Sequence, residues 1–242
     1  MRVMVINLAG QTARLAFQAG QLDRLGLPWQ RVEAVTPATL SPPSDAPYWQ
    51  RWERPLSPAE KACAASHRAV WARVAAGFGP VLVLEDDALL LPGVADFLAR
   101  VTGFQGVDHI SLETRGRRKL LGAPHPQAPM RRLWQDRSGA AAYVLWPAGA
   151  ARLLARADRR AGIADAVICA AYDMSSWQAD PALAIQIDQC ARYGIPPPCP
   201  PTRAASAHRA RRRWREWLRG CGPAFACAGW RRSCAWVCAG FR

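Results

Sequence analysis

Lysine is almost missing from this chain. Of 32 basic residues only Lys61 and Lys119 are lysines, a bias we read as codon usage more than chemistry. The eight cysteines include no C-x-x-C pair, and no histidine stands at zinc-ligand spacing beside them, which excludes the common zinc modules. No charged segment followed by an apolar core and a cleavage site opens the chain, so no signal peptide is expected. The longest apolar runs fall far short of a membrane span. Free thiols in a reducing cytosol are the expectation. Internal repeats are absent as well.

What is present is a chain of 242 residues, half of them apolar, enough for one α/β domain with a sizeable core plus an appendage. That apolar share excludes a disordered chain. The net charge of +14 is unevenly placed: from Arg203 to Arg242 ten arginines face one acid, Glu216, so the tail carries +9 and the rest +5. The basicity belongs to the tail.

Along the chain, Val3 to Leu8 reads as a buried strand. Thr12 is placed to cap a helix with apolar face Leu15, Ala19, Leu22 and Leu25, ended by Gly26. Val32 to Val35 suggests a second strand, and Thr36 to Leu56, rich in proline, a long loop. Ser57-Pro58-Ala59-Glu60 is a capping box with proline at the first helical position, predicting a helix to about Ala76. Val81 to Leu84 follows as a strand. Phe97 to Val101 is a short helical piece. His109 to Leu112 predicts a strand, then a basic loop holding Arg115, Arg117, Arg118 and Lys119. Ala140 to Leu145 is a strand, Pro147 opens a helix, and Pro181 to Gln186 is a last short strand. Strands alternating with helices predict a largely parallel sheet. Domain 1–195 is followed by a proline-rich linker at 196–202 and a basic tail at 203–242.

The most informative stretch is Val81-Leu82-Val83-Leu84-Glu85-Asp86-Asp87. An apolar run, read as a buried strand, ends in three carboxylates, at the end of the sheet where open α/β folds bind ligands. Adjacent acids repel one another, and burying them without a counter-charge is costly. A hard divalent cation, Mn²⁺ or Mg²⁺, takes oxygen ligands and removes that cost. Many nucleotide-sugar transferases hold the metal on their diphosphate in this way. The competing reading is a solvated acidic turn.

Four groups of residues, in order, resemble glycosyltransferase family 25, the lipopolysaccharide and lipooligosaccharide galactosyltransferase-like proteins. They are Ile6-Asn7-Leu8 with Arg14; Glu60, Cys63 and Ser66-His67; Leu84-Glu85-Asp86-Asp87; and Gly139, Ala142-Tyr143-Val144, Gly149-Ala150, Leu153-Leu154 and Asp165. Ala59 and Ala62 stand where the family usually has glycine, and Ala13 where an aspartate is common. The resemblance covers roughly residues 1–190. It implies a GT-A-like, Rossmann-type nucleotide-sugar transferase domain, a UDP-sugar donor such as UDP-galactose, and transfer with inversion to a glycan or glycolipid acceptor.

With the resemblance, Asp86 and Asp87 are the candidate metal ligands, and Glu85 a ligand or a group that orients basic partners. Asn7 and Leu8 end the first strand where a base or ribose would lie. Arg14 can pair with phosphate or with an acid of the site. Ser66 and His67 are expected to face the donor, and Cys63 to pack rather than attack. Asp165 and Glu113 are the candidate bases, with Asp165 preferred. Arg115, with Arg117 and Arg118, either neutralises the leaving diphosphate or is a solvated loop.

In the tail, Ala207, Ala210, Trp214, Trp217 and Leu218 fall on one helical face with arginines around them, which suits an anionic membrane surface. A disordered end and a helix docked on its own domain are the alternatives. The expected setting is cytoplasmic, held at the inner face of the membrane by the tail. Two other classes compete: an inactive relative acting as a binding protein, and a nucleic-acid-binding protein driven by the arginines. Against the latter, the domain shows no nucleic-acid module, so no specific nucleic-acid partner is expected.

Overall fold

A computed structural model describes residues 1–137, 139–199 and the backbone of 235–237. The sheet has nine strands in the order β11-β6-β7-β9-β5-β8-β3-β1-β2. Its parallel part is β2 (Trp29–Glu33), β1 (Arg2–Asn7) and β3 (Val81–Glu85), with α1 (Thr12–Arg24) and α2 (Pro58–Ala75) as crossovers. Strand β8 (Ala142–Leu145) lies antiparallel between β3 and β5 (His109–Ser111), and β5 pairs parallel with β9 (Ser176–Ala179). Strands β6 (Lys119–Pro124) and β7 (Met130–Gln135) form a hairpin against β9, and β11 (Ala235–Val237) closes the far edge. A two-stranded sheet pairs β4 (Ala88–Leu90) with β10 (Ala184–Gln186).

The apolar runs are continuous because the central strands bury both faces. Val3, Val5, Leu82, Leu84 and Val144 pack on one side with Leu22 of α1 and with Phe97 and Leu98 of α3 (Val94–Val101). Met4, Ile6, Val81, Val83, Tyr143 and Leu145 pack on the other with α2, α4 (Pro147–Arg159) and α5 (Ala164–Cys169). Gly149 lets α4 approach β5: a Cβ there would lie 2.4 Å from Asp108 O. The loop at 36–56 is not loose, since Trp49 is buried with Leu40, Leu56 and Ala161.

Ser57 and Glu60 form the expected capping box. Gln11, not Thr12, precedes the first turn of α1, and no side chain caps it. The expected apolar face of α1 is also corrected: Gln18 and Gln21 are buried beside Leu22, while Leu15, Ala19 and Leu25 are only half-buried. The expected basic loop ends one residue early, because Lys119 opens β6 and is buried. Of the linker, Pro200 to Thr202 lie outside the described residues, as does the amphipathic stretch 207–219. Among the described residues no helix is long and apolar enough to cross a membrane, and Cys63, Cys169, Cys190 and Cys199 are unpaired.

Candidate active site

The site lies at the carboxyl ends of β1 and β3, as open α/β sheets dictate. Successive residues at a strand end go to opposite sides. Glu85 meets His67 on α2, with Oε1 and Nε2 3.0 Å apart. Asp86 meets Arg14 on α1, with Nη1 donating to Oδ1 at 2.8 Å. Asp86 also accepts from Asn7 Nδ2 at 2.8 Å on its other oxygen. Arg31 Nε in turn donates to Asn7 Oδ1 at 3.0 Å, which holds the amide in that orientation. Of the two alternatives for Arg14, the acid is its partner.

The backbone of the acidic turn is held from below by two glutamines that sequence reading passed over. Gln18 Nε2 donates to Asp86 O at 3.1 Å and Ala88 O at 2.8 Å. Gln21 Nε2 donates to Ala88 O at 2.9 Å, and its Oε1 accepts from Leu90 N at 3.1 Å. Arg14, Gln18 and Gln21 are spaced as one helical face, so the signal was present as a polar stripe at helical period.

On the α2 side a relay is buried in the core. Trp71 Nε1 is a donor only, so it donates to Tyr143 Oη at 2.8 Å. Tyr143 Oη lies 3.0 Å from His67 Nδ1, and His67 Nε2–H points at Glu85. Burial raises the Tyr143 hydroxyl pKa, keeping it a donor. Burial also pushes the Glu85 carboxyl upward, but the bond and charge of His67, with Arg115, outweigh it and hold Glu85 below its usual range. Ser66 does not join in. Its hydroxyl donates to Ala62 O and accepts from Val35 N, both at 2.8 Å, tying α2 to the chain after β2. Cys63 is corrected from core packing to the site: its surface is exposed and Sγ stands 3.9 Å from Glu85 Oε1. Enclosure by the site walls, with Glu85, Asp165 and Asp87, raises its thiol pKa well above normal, so it is no thiolate nucleophile.

Asp87 is the less engaged of the two aspartates. Its nearest donor is Gln186 Nε2 at 3.4 Å, an amide that also reaches Glu85 Oε2 at 3.2 Å. Burial, then the charges of Glu85 and Asp86, push its pKa up to about 7. Arg115 donates to Gln186 Oε1 and, at 3.0 Å, to Asp188 Oδ2, so it stands beside the acids; Arg117 and Arg118 are exposed. Leu8 is 41% exposed at the mouth.

Glu113 and Asp165 complete the cluster. Glu113 is buried with Oε2 unpartnered, and burial pushes its pKa up to about 8 despite Lys119. Asp165, in the first turn of α5, is raised by burial and by Glu85, and it accepts a bond from the Gly139 backbone. Gly139 has φ +149°, and a Cβ there would lie 3.1 Å from Glu113 Oε1 and 3.3 Å from Asp136 Oδ2. Beneath them Lys119 Nζ contacts Asp136 Oδ2 at 2.7 Å and donates to Gln178 Oε1 at 2.6 Å and to Glu113 O at 3.1 Å. A buried lysine in a sheet needs such partners.

Comparison with known proteins agrees with this arrangement of motifs. The family model described as glycosyltransferase family 25 (LPS biosynthesis protein) matches residues 1–168. The chain belongs to glycosyltransferase family 25. Two curated family relatives are lacto-N-neotetraose biosynthesis glycosyltransferases LgtB. The one from Neisseria gonorrhoeae is 36% identical over 115 residues, 43% of this chain and 39% of the relative. The one from Neisseria meningitidis serogroup B (strain ATCC BAA-335 / MC58) is 37% identical over 109 residues, 41% of this chain and 37% of the relative. The matches therefore span under two fifths of those relatives. A solved structure, the inositol-1-phosphate CTP transferase from T. maritima, aligns with 77% of this chain and 70% of that chain at TM-score 0.42 and 14% identity.

Proposed function

We propose that this chain is a GT-A-like glycosyltransferase that moves a sugar, galactose in the first instance, from a UDP-sugar to a lipooligosaccharide or related glycan. Transfer proceeds with inversion and with Mn²⁺ or Mg²⁺. The observation that carries this reading is the convergence of Glu85, Asp86, Asp87, Glu113 and Asp165 at the strand ends, with Arg14, His67 and Arg115 as the basic groups among them. Family membership supports it.

The donor set fits a hard divalent ion, since it offers carboxylate oxygens in excess of local positive charge. Of the expected ligands Asp86 and Asp87, Asp87 with Glu85 would hold the ion, since one amide, Gln186 Nε2, reaches an oxygen of each, whereas both Asp86 oxygens are taken by Arg14 and Asn7. Among the described residues, the three groups whose ligand atoms lie within 4.8 Å of one another are Cys63, His67 and Glu85. When bound, such an ion offsets charge on the departing diphosphate. The residues themselves do the rest. Asn7 and Leu8 border the donor's nucleoside end. Arg14 and Gln18 hold the acidic turn in place. Arg115 lies where it attracts phosphate oxygens. Asp165 takes the acceptor hydroxyl proton as the new glycosidic bond forms on the face opposite the leaving group; Glu113 is the alternate base.

The test is release of nucleotide diphosphate from a panel of nucleotide sugars, with and without Mn²⁺, for wild type and Asp165→Asn. Turnover should fall by roughly 10²–10⁴ in the variant with donor affinity retained. Absence of release from every donor would sink the transferase reading. Loss of donor affinity at unchanged turnover would move the base to Glu113. For the tail, Trp214→Ser with Trp217→Ser should weaken binding of the intact chain to anionic vesicles, more so at high salt. Unchanged vesicle binding would remove the membrane role.

A further inference from the structure

Beside the acids, between β7 and α5, lies a cleft that opens to solvent. Its walls include His109, Trp134, Asp136, Gly139, Cys169 and Tyr172. We propose that this cavity is the acceptor subsite and takes one neutral pyranoside ring of the glycan, an inference that rests on the transferase reading above.

Three independent features point there. First, large apolar side chains are exposed at four described positions, Leu8, Phe78, Trp134 and Tyr172, and the last two both line this cavity. An aromatic face kept in water at a cavity mouth suits the C–H face of a sugar ring. Arg132 stacks on Trp134 with its guanidinium carbon 4.6 Å from the ring centre, and it donates to the Met174 and Ser176 carbonyls, so the indole is held rigidly.

Second, His109 is 2% exposed, yet neither ring nitrogen has a partner. A buried imidazole without hydrogen bonds is costly, and its retention asks for a ligand. Burial pushes its pKa down to about 4, so it is neutral. It offers one donor and one acceptor, the complement of a hydroxyl. The cavity is poorly suited to phosphate: Lys119 is already paired with Asp136, and Arg132 is committed to backbone carbonyls.

Third, one wall residue of the cavity, Gly139, is in contact with the candidate bases. It hydrogen-bonds Asp165 through its backbone and sits against Glu113 Oε1. Cys169 lies one helical turn beyond Asp165 on α5. A ring resting on Trp134 and Tyr172 therefore turns one edge toward those carboxylates.

The experiment uses the full chain and three probes: methyl β-glucopyranoside, methyl β-galactopyranoside and methyl N-acetyl-β-glucosaminide. Binding is read by saturation-transfer NMR, and UDP affinity is measured in parallel by calorimetry. At least one glycoside should bind wild type, and Trp134→Ala and Tyr172→Ala should each weaken it about tenfold with UDP affinity held. His109→Phe keeps the ring and removes both unpartnered nitrogens. It should lose glycoside while the unfolding midpoint stays or rises, which a purely structural histidine would not do. Glycoside binding unchanged in the variants, parallel loss of UDP, or no glycoside bound by wild type would each overturn the subsite. Failure of the transferase reading shows separately, as no nucleotide release from any donor, because glycoside binding needs no turnover.

Discussion

Arg14 Nη1 stands 2.8 Å from Asp86 Oδ1, and the two side chains are only 14% and 11% exposed. With Asn7 on the second oxygen, Asp86 is used to lock α1 and β1 to the end of β3. Asp87, one residue on, has only Gln186 at the limit of hydrogen-bond range. Adjacent aspartates therefore have different work, and substitution should separate them. Asp86→Asn leaves the Arg14 charge without its anion and should cost about 3 kcal/mol in denaturant unfolding. Asp87→Asn removes charge repulsion, so stability should hold or improve while Mn²⁺-stimulated turnover is lost. Full turnover in Asp87→Asn, or turnover indifferent to a strong chelator, would remove the metal assignment.

Gln18 is fully buried, and its amide serves the carbonyls of the acidic turn. Gln18→Leu has similar volume but removes the donor to Asp86 O, leaves Ala88 O with the Gln21 amide alone, and takes away that amide's other acceptor, Gln18 Oε1. The expected loss is about 1–3 kcal/mol in urea unfolding, with weakened donor binding because the turn shifts. Wild-type stability in this variant would show that water replaces the amide.

Tyr143 links Trp71 to His67 at the centre of the core. Tyr143→Phe leaves both Trp71 Nε1 and His67 Nδ1 unsatisfied and should cost about 1–3 kcal/mol. Because His67 also orients Glu85, the variant should require more Mn²⁺ for half-maximal turnover. A stability change without any shift in metal requirement would confine the relay to folding.

Glu113 carries the clearest pH signature. Folded, its carboxyl holds its proton to about pH 8, against an ordinary value of 4.5. The stability this lends is complete below the unfolded value and is lost as pH rises through about 8. Glu113→Gln keeps the neutral shape at every pH. Its unfolding midpoint should therefore match wild type near pH 4 and exceed it increasingly up to pH 9. A constant difference across that window would mean Glu113 ionises normally.

Much of this protein could be read without its structure, because the signals are local. A capping box is complete within Ser57 to Glu60, and a strand buried on both faces shows as the unbroken apolar run Val81 to Leu84. The acids that follow, with Asn7, His67 and Asp165, were recognisable as a set by type and order. Other features were not legible. The β6–β7 hairpin has register shifts around Leu121 that erase the period-two pattern. Lys119 looked like one more cation in a basic loop, yet it is buried because Asp136 and Gln178, 17 and 59 positions away, surround its ammonium group. Gln186 carries no signal of its own, since an amide's role depends on which carbonyl or carboxylate the fold brings to it. The sequence by itself determined the central strands, the capped helix α2, the family and the acid run Glu85 to Asp87, which depend on contiguous residues. Only the tertiary structure decided that Arg14 pairs with Asp86 and leaves Asp87 open, because a charge is balanced by whatever lies nearest in space, whatever its distance along the chain.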